Sequence, residues 1–323
     1  MKRLLALSVI LIVALFGCSS GSDGDAFPTK DLEIVAPASP GGGWDTTARA
    51  IQKSLSDEDL IDKTLQVNNK PGGNGEVGWQ YLKDKDAHHL AMSSSLIVTN
   101  NLLGQSDLTY EDFTPLSIMT TEWVAFAVPE DSPFESGVEI MEQLKEDPTS
   151  LNIGTSPGLG SNHHLAFVQA AKEFGVDIPQ LNFTIFESGG DEVTSLLGGH
   201  IDVATHTVST FRELHEAGDL RIVAIASEDK VEGLEDVNTW LDEGVDVVFP
   251  HWRGLIGPAD MSEEEIAYWD EKLSKLAESD SWKQILENNE WESYYKDSEK
   301  TSEFLKEQVT KYEELINDSG LAN

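Results

Sequence analysis

The stretch "PGGGWDTTARAI", residues 40–51, follows the short apolar run "LEIVAP" and decides how the fold is interpreted. An apolar run, consecutive glycines and then a helix-forming segment predict a strand that passes through a glycine loop into a helix. In an open α/β sheet, ligands lie at the carboxyl ends of strands, where such loops enter helices. Gly42 and Gly43 allow close approach of the backbone, and the free N–H groups at a helix start attract anions. The first glycine loop, residues 40–43, therefore predicts an anion-binding site.

The residues behind this loop have two interpretations each. The loop is not a nucleotide loop, because neither Gly-x-Gly-x-x-Gly nor Gly-Lys-Ser/Thr occurs in it. Asp45 and Thr46 are suited both to capping the helix and to contacting a ligand. Trp44 either meets the ligand or packs on the opposite domain. The second glycine loop, residues 68–75 of "NNKPGGNGEVGW", repeats the arrangement and supports a binding function.

The N-terminal residues predict export. Lys2 and Arg3 precede the apolar stretch "LLALSVILIVALF", so residues 1–17 are interpreted as a signal peptide. Cys18, the only cysteine, ends a Leu-x-Gly-Cys pattern that resembles the lipobox of bacterial lipoproteins. We therefore expect lipidation at Cys18, a flexible tether over residues 18–30, and an extracytoplasmic protein anchored to the cell membrane. The alternative is an ordinary cleaved signal with an incidental cysteine.

The charge balance limits the partners. The chain has 22 basic and 58 acidic residues, for a formal net charge of −36 at pH 7. Because the phosphate backbone of nucleic acids repels such a surface, no nucleic-acid partner is expected. Much of the acid lies in amphipathic helical segments, which predicts a strongly hydrated surface.

Short apolar runs alternate with amphipathic segments, which predicts an α/β fold. Two such series follow each other, so we expect two units, each with its own mainly parallel sheet flanked by helices. Two long strand-like runs, each interrupted by proline, suggest that the chain crosses to the second unit and returns. The expected division assigns residues 31–127 and 250–323 to lobe one and residues 128–249 to lobe two.

Five motifs in order resemble the periplasmic substrate receptors of tripartite tricarboxylate transporters, often called Bug-type receptors. They are "PGGGWDTTAR", "VNNKPGGNG", "LNIGTSPGLGSNHHLA", "LLGGHIDVA" and "WRGLIGPADMSEEE", and together they extend over nearly the whole mature chain. Each motif is weak alone, but the ordered set is specific. The sequence departs from the family pattern at Trp44, usually a small or hydroxyl residue, and at His206, where an acidic residue is common.

The resemblance implies a two-lobe periplasmic-binding-protein fold, or flytrap, with the ligand cleft between the lobes. It implies a receptor that binds a small organic carboxylate through main-chain and hydroxyl donors and delivers it to the membrane components of the transporter. We expect a monomer with no cofactor, no metal and no catalytic residue. The acid itself stays open among tricarboxylates, dicarboxylates, acidic amino acids and aromatic acids.

The candidate ligand-binding residues lie in the loops and at the predicted strand ends. They are Gly42, Gly43, Trp44, Asp45, Thr46, Ser93, Ser94, Ser95, Thr155, Ser156, Ser161, Asn162, Asp202, His206 and Thr207. A hydroxyl in a loop also serves as a cap or turn residue, and Ser161 is placed to cap the following helix. A protonated His206 would attract an anion, so we expect affinity to rise as the pH falls from 8 to 6.

Two other functions are weighed. Several histidines in both lobes suggest a metal-binding lipoprotein receptor, although no spacing repeats a known zinc signature. Export together with abundant serines, histidines and acids suggests a hydrolase, although the metalloprotease pattern His-Glu-x-x-His is absent.

Overall fold

The computed structural model describes residues 26–321. The strands and α-helices of this part are, in chain order, β1 (Leu32–Ala36), α1 (Gly43–Asp57), β2 (Leu65–Asn69), α2 (Glu76–Lys83), β3 (His89–Ser93), α3 (Leu96–Leu102), β4 (Thr114–Thr121), β5 (Val124–Pro129), α4 (Gly137–Glu146), β6 (Asn152–Thr155), α5 (Asn162–Phe174), β7 (Asn182–Ile185), α6 (Gly189–Leu197), β8 (Val203–Thr207), α7 (Val208–Ala217), β9 (Leu220–Ile225), β10 (Arg253–Gly257), α8 (Glu263–Glu278), α9 (Asp280–Asn288), β11 (Glu292–Lys296) and α10 (Ser298–Asp318). The predicted signal peptide and Cys18 lie outside the described residues. Within them, no helix is long and apolar enough to cross a bilayer.

The strands form two sheets, which confirms the predicted pair of α/β units. One sheet has six strands in the order β11-β4-β10-β3-β1-β2, and the other has five in the order β7-β6-β8-β5-β9. Helices flank both sheets, and their buried faces supply much of the core. The two-lobe fold class predicted from the sequence is therefore correct.

The sheets are mixed, so the expectation of mainly parallel sheets was wrong in this detail. Strand β1 pairs parallel with β2 and β3, and β6 pairs parallel with β7 and β8. Strands β4, β5, β9, β10 and β11 enter antiparallel pairs. The reason is topological: β4 and β10 carry the chain between the sheets and do not follow the strand–helix–strand connection that makes neighbours parallel.

The chain passes between the sheets twice, at residues 122–123 and 250–252. These crossing segments pair with each other: the His251 N–H donates to the Glu122 carbonyl at 2.8 Å, and the Glu122 N–H donates to the His251 carbonyl at 3.3 Å. The expected division after residue 127 falls inside β5, because the chain has already joined the five-stranded sheet at Val124. We propose residues 122–123 as the division on the outward path.

The facing strand ends, together with the two crossing segments, form what we call the seam. In the six-stranded sheet, the end of β3 at Ser93 and the start of the antiparallel β10 at Arg253 lie at the seam. On the five-stranded side, it receives the ends of β6 and β8 at Thr155 and Thr207. Side chains at these positions therefore lie along one boundary.

Most α-helices of the described chain have a side-chain cap, and α1 does not. A serine or aspartate side chain accepts a backbone N–H at the start of α4, α5, α6, α8, α9 and α10. The cap residue of α1 is Gly42, which has no side chain that could accept an N–H. Thr207, the cap residue of α7, makes no such side-chain bond. The first-turn N–H groups of α1 thus remain free for another acceptor.

Candidate functional site

A buried ion pair lies at the centre of the seam. Arg253 and Glu122 are 8% and 6% exposed, and Arg253 Nη2 lies 2.5 Å from Glu122 Oε2. The second oxygen of Glu122 accepts a hydrogen bond of 2.7 Å from the Ser209 hydroxyl, in the first turn of α7. Both carboxylate oxygens are therefore engaged, whereas Arg253 Nη1 is buried and has no hydrogen-bond partner in the described chain.

The first glycine loop lies directly against this guanidinium. A Cβ at Gly43 would be 3.1 Å from Arg253 Nη2 and 3.2 Å from Nε, so glycine is needed for the close approach. No partner within the described residues accepts the N–H groups of Gly43 and Trp44. A cation at the positive end of a helix is unfavourable unless an anion joins them. The free Nη1 and the free N–H groups together suit one carboxylate.

Three histidine rings stack beside the ion pair, and we call them the histidine stack. The His163 ring centroid lies 4.0 Å from that of His206 and 5.2 Å from that of His251. Burial lowers the pKa of His163 to about 4, and burial, with the nearby positive charges, lowers the pKa values of His206 and His251 well below 6.5. These shifts favour neutral rings in the ligand-free protein at pH 6 to 8, which argues against the expected rise in affinity through protonation of His206.

Asp45 organises the loop. Its Oδ2 accepts the Gly41 N–H at 2.8 Å, and its carboxylate also bonds Arg49 and Asn69. Burial alone would raise the pKa of Asp45, but these hydrogen bonds hold it below its ordinary value. Because its carboxylate bonds Gly41, Arg49 and Asn69, Asp45 supports the loop.

The two residues beside Asp45 are occupied within their own lobe. Thr46 donates its hydroxyl to the Gly42 carbonyl at 3.2 Å. The Trp44 ring packs edge-on against Trp79, with ring centroids 5.6 Å apart. Of the first-loop candidates, the structure thus places the backbone of Gly43, and not these side chains, against Arg253, while the Gly42 N–H is bonded to the Ser39 carbonyl.

The structure brings most of the other candidates to the seam. Ser161 caps α5 by accepting the His164 N–H, and Ser95 precedes α3. Ser94 accepts the Leu96 N–H, and the Thr207 hydroxyl bonds Ser209 and Thr210. Besides Arg253 Nη1, four seam atoms are buried without a partner in the described chain: Ser93 Oγ, Thr155 Oγ1, Asn162 Oδ1 and His163 Nε2. Because buried polar groups are almost always satisfied, such a cluster indicates a ligand or water that completes the bonds.

Asp202 lies away from the seam. Its carboxylate accepts the backbone and side-chain N–H groups of Asn152, the first residue of β6. The seam is at the other end of that strand, at Thr155. Asp202 therefore joins the starts of β6 and β8, at the end of these strands that lies away from the seam. We remove it from the candidate site.

The second glycine loop also ends near the seam. Gly73, Gly75 and Gly78 match Gly-x-Gly-x-x-Gly, but packing explains two of them: a Cβ at Gly78 would be 2.8 Å from Pro37, and one at Gly75 would be 2.7 Å from the Trp79 ring. A cavity of about 390 Å³ lies between this loop and the loop after β6, lined in part by Asn74, Asn100 and Ser161. It provides space along the same boundary.

Two serines have spacings typical of hydrolase nucleophiles. Ser156 is the serine of "GTSPG", a Gly-x-Ser-x-Gly pattern, but its hydroxyl donates to Glu192 at 2.9 Å. Ser227 and Lys230 form a Ser-x-x-Lys pattern, but the Ser227 hydroxyl donates to the Asp229 carbonyl and Lys230 Nζ to the Val237 carbonyl. Ser156 thus bonds a buried carboxylate and Ser227 a backbone carbonyl, and neither hydroxyl bonds a histidine or a lysine in the described chain.

The metal alternative also lacks a matching arrangement in residues 26–321. No group of three or more His, Cys, Asp or Glu side chains there could hold a metal ion. In the histidine stack, Nδ1 of each ring is already bonded: that of His163 to Ser156, that of His206 to Thr207 and that of His251 to Asn162.

Sequence reasoning missed four seam residues, namely Glu122, His163, His251 and Arg253. Glu122 carried a usable signal, because it is a charge within the apolar run "IMTTEWVAFAV". Arg253 stood inside a recognised motif, but its pairing with a glutamate 131 positions earlier could not be read from the order of residues.

Comparison with known proteins agrees with this architecture. A sequence model of a family described as "Tripartite tricarboxylate transporter family receptor" matches residues 47–321. A UPF0065 protein from Pseudomonas sp. strain P51 is 27% identical over 72% of this chain and 70% of that protein. A TctC solute-binding protein from Polaromonas is 26% identical, with a TM-score of 0.79 over 90% of this chain and 99% of that chain. MatC from Rhodopseudomonas palustris, solved with bound malate, is 19% identical and shares the fold, with a TM-score of 0.71 over 90% and 100% of the two chains.

Proposed function

The chain belongs to the tripartite tricarboxylate transporter receptor family, a family of extracytoplasmic solute receptors, and we propose that it binds a small organic carboxylate at the seam. The loaded receptor then delivers the acid to the membrane components of its transporter. MatC, which shares the fold, holds malate, and this supports a carboxylate as the class of ligand.

The observation that carries the proposal is the Gly43–Arg253 contact. The Nη2–Nε edge of the guanidinium lies against the uncapped start of α1, Glu122 bonds Nη2, and Nη1 has no partner in the described chain. A ligand carboxylate bonded to Nη1 and to the N–H groups of Gly43 and Trp44 would satisfy all three donors. Hydrogen bonds to a charged group contribute about 1.5–3 kcal/mol each, enough to direct the orientation of the ligand.

Other seam residues complete the proposed site. Ser93 and Thr155 offer unpartnered hydroxyls, one from each sheet, so a ligand that bonds both would hold the two lobes together. The paired crossing segments at Glu122 and His251 are the natural hinge for closure. Binding energy would thus favour the closed form, which is the form that a membrane partner recognises.

The proposal includes no chemical change of the ligand. This part is supported by the contacts of the two serines in hydrolase spacings, because Ser156 bonds Glu192, Ser227 bonds the Asp229 carbonyl, and neither bonds a histidine or a lysine. We further propose that the mature protein is a monomer attached to the membrane through lipid on Cys18. Those two parts rest on the sequence patterns alone.

A thermal-shift panel tests the proposal. We would screen tricarboxylates, dicarboxylates, acidic amino acids and aromatic acids, each against its neutral amide. At about 100 times its dissociation constant, a bound acid should add roughly 2.7 kcal/mol to the free energy of unfolding. The amides should add nothing, because an amide offers the free guanidinium no negative charge.

The matched variant is the double substitution Glu122→Gln with Arg253→Gln. Removing Arg253 alone would leave Glu122 buried without its ion-pair partner, which costs about 3–5 kcal/mol and obscures the result. The double variant keeps the shape and loses the acid-induced stabilisation. Equal stabilisation of both proteins by the same acid, or of the wild type by acid and amide alike, would refute the proposed site.

A further inference from the structure

Two neighbouring hydrogen-bond acceptors at the seam have no donor in the described chain. They are His163 Nε2 and Asn162 Oδ1, on residues that are 4% and 2% exposed. Both stand in the first turn of α5, next to Thr155 and Ser156 at the end of β6. An unpartnered buried acceptor costs about 1–3 kcal/mol, so each of the two atoms calls for a donor.

The hydrogen bonds of the ring determine that His163 Nε2 is an acceptor. Its Nδ1 lies 2.7 Å from the Ser156 carbonyl oxygen, which can only accept, so Nδ1 carries the proton. Burial keeps the ring neutral, which leaves a lone pair on Nε2. The Asn162 amide nitrogen donates to His251 Nδ1 at 3.2 Å, which leaves Asn162 Oδ1 as the second acceptor.

The stack holds this acceptor in position. The His163 ring is clamped between the rings of His206 and His251, with centroids 4.0 and 5.2 Å away, and is tied by the Ser156 bond. Its neighbour His164 provides a contrast: its Nδ1 accepts the Gly160 N–H and its ring packs edge-on against Phe183. His164 is a satisfied core residue, whereas His163 is fixed with one acceptor free.

Burial determines which donor suits these acceptors. It is the largest cause that lowers the pKa values of all three stacked histidines, and the same burial disfavours a second cation at this place. At His163 the charge of Glu122 has a larger effect on the pKa than the opposing charge of Arg253, but both carboxylate oxygens of Glu122 are already engaged by Arg253 and Ser209. A neutral hydroxyl donates a proton without adding charge and is therefore preferred to an ammonium group.

We propose that the ligand is a hydroxy-substituted carboxylate whose hydroxyl donates to His163 Nε2 or Asn162 Oδ1 while its carboxylate binds at Gly43 and Arg253. This inference rests on the proposed function and specifies the class of acid. A site built to bond a hydroxyl rejects the analogue that lacks it, because the buried acceptors of the site are then left unpaired.

Matched acids test the inference by isothermal titration calorimetry on the mature protein. The pairs are malate with succinate and citrate with tricarballylate, which differ only by a hydroxyl, and aspartate adds an ammonium arm. We expect the hydroxy acid of the pair that fits the site to bind about 10- to 100-fold tighter than its partner. Aspartate should not exceed succinate. Equal affinities within both pairs, or a preference for aspartate, would overturn the inference and leave the carboxylate receptor intact.

The variant is His163→Asn, whose amide nitrogen takes the place of Nδ1 opposite the Ser156 carbonyl while Nε2 is lost. It should abolish the preference for the hydroxy acid and leave the affinity for the unsubstituted acid within about threefold, less than one hydrogen bond contributes. His200→Gln, on an exposed residue, is the control. An equal loss for both acids would assign His163 a structural role, against the inference. If no acid of the panel binds the wild type, the proposed function fails and this inference with it.

Discussion

Replacing Gly43 with alanine separates ligand binding from folding. Gly43 is the first residue of α1 and does not have a positive φ, so alanine fits the backbone without strain. In a helix interior, alanine is favoured over glycine by about 1 kcal/mol, and at this terminal position we expect a change in unfolding free energy of less than that. The fold should therefore keep or slightly gain stability.

Binding should suffer because the new Cβ points at Arg253. It would lie 3.1, 3.2 and 3.3 Å from three guanidinium atoms, closer than ordinary contacts, so the guanidinium must retreat by a few tenths of an ångström. Its retreat is limited by Glu122 at 2.5 Å and by the Trp291 ring, 5.3 Å away. Losing one charged hydrogen bond, worth about 1.5–3 kcal/mol, weakens binding about 10- to 150-fold.

The assay is calorimetric titration with the tightest acid of the panel, together with urea unfolding of the ligand-free protein. Gly190→Ala is the matched control, because Gly190 also lies in the first turn of a helix and its added Cβ would meet only Ser188 Oγ, at 3.8 Å. The control should bind like wild type. A dissociation constant for Gly43→Ala within twofold of wild type would refute the placement of the carboxylate beside Arg253.

Three further predictions concern closure, pH and anchoring. Arg212 in α7 forms an ion pair of 2.5 Å with Glu290, which precedes β11 of the other sheet. Arg212→Gln should therefore favour opening and weaken binding by up to about fivefold, because a partly exposed ion pair contributes up to about 1 kcal/mol. An unchanged affinity in calorimetry would contradict this. The pKa of His163 is lowered to about 4 in the folded protein, so the stacked histidines bind protons more readily in the unfolded chain. The free energy of unfolding should therefore fall as the pH drops from 6.5 toward 4, by up to about 1.4 kcal/mol per pH unit for each ring. Burial raises the pKa of Glu192 to about 7, so this one group changes the free energy of unfolding in the opposite direction between pH 4.5 and 7. Urea titrations that show greater stability at pH 5 than at pH 6.5 would contradict the neutral stack. Cys18→Ser should release the protein from the membrane fraction or stall its maturation without changing affinity, and membrane recovery equal to wild type would exclude the lipid anchor.

Local patterns were sufficient for the elements of the fold. As predicted, the two glycine loops lie where β1 and β2 lead into helices, which are α1 and α2. These features depend on neighbouring residues, namely hydrophobic period, glycine and caps, so a single sequence contains them. Strand direction depends on which sheet a strand joins, and the mixed pairing of β4 and β10 therefore could not be read locally.

The candidate site divides in the same way. The backbone of the first glycine loop could be identified because the glycines and the helix start are adjacent in sequence. Arg253 and Glu122 could not, because they meet only where the two crossing segments pair. The contacts of Trp44 and Asp45 were likewise decided by distant partners, Trp79 and Asn69, which occupy their side chains.

The crystal structure of the complex with the tightest acid of the panel tests the central claim most directly. The account predicts one ligand carboxylate within hydrogen-bond distance of Arg253 Nη1 and of the N–H groups of Gly43 and Trp44, with the Glu122–Arg253 pair retained. A carboxylate bound elsewhere, for example at Lys296 and Lys311 in the cavity of about 430 Å³ beside α10, with Arg253 Nη1 still unpartnered, would contradict it.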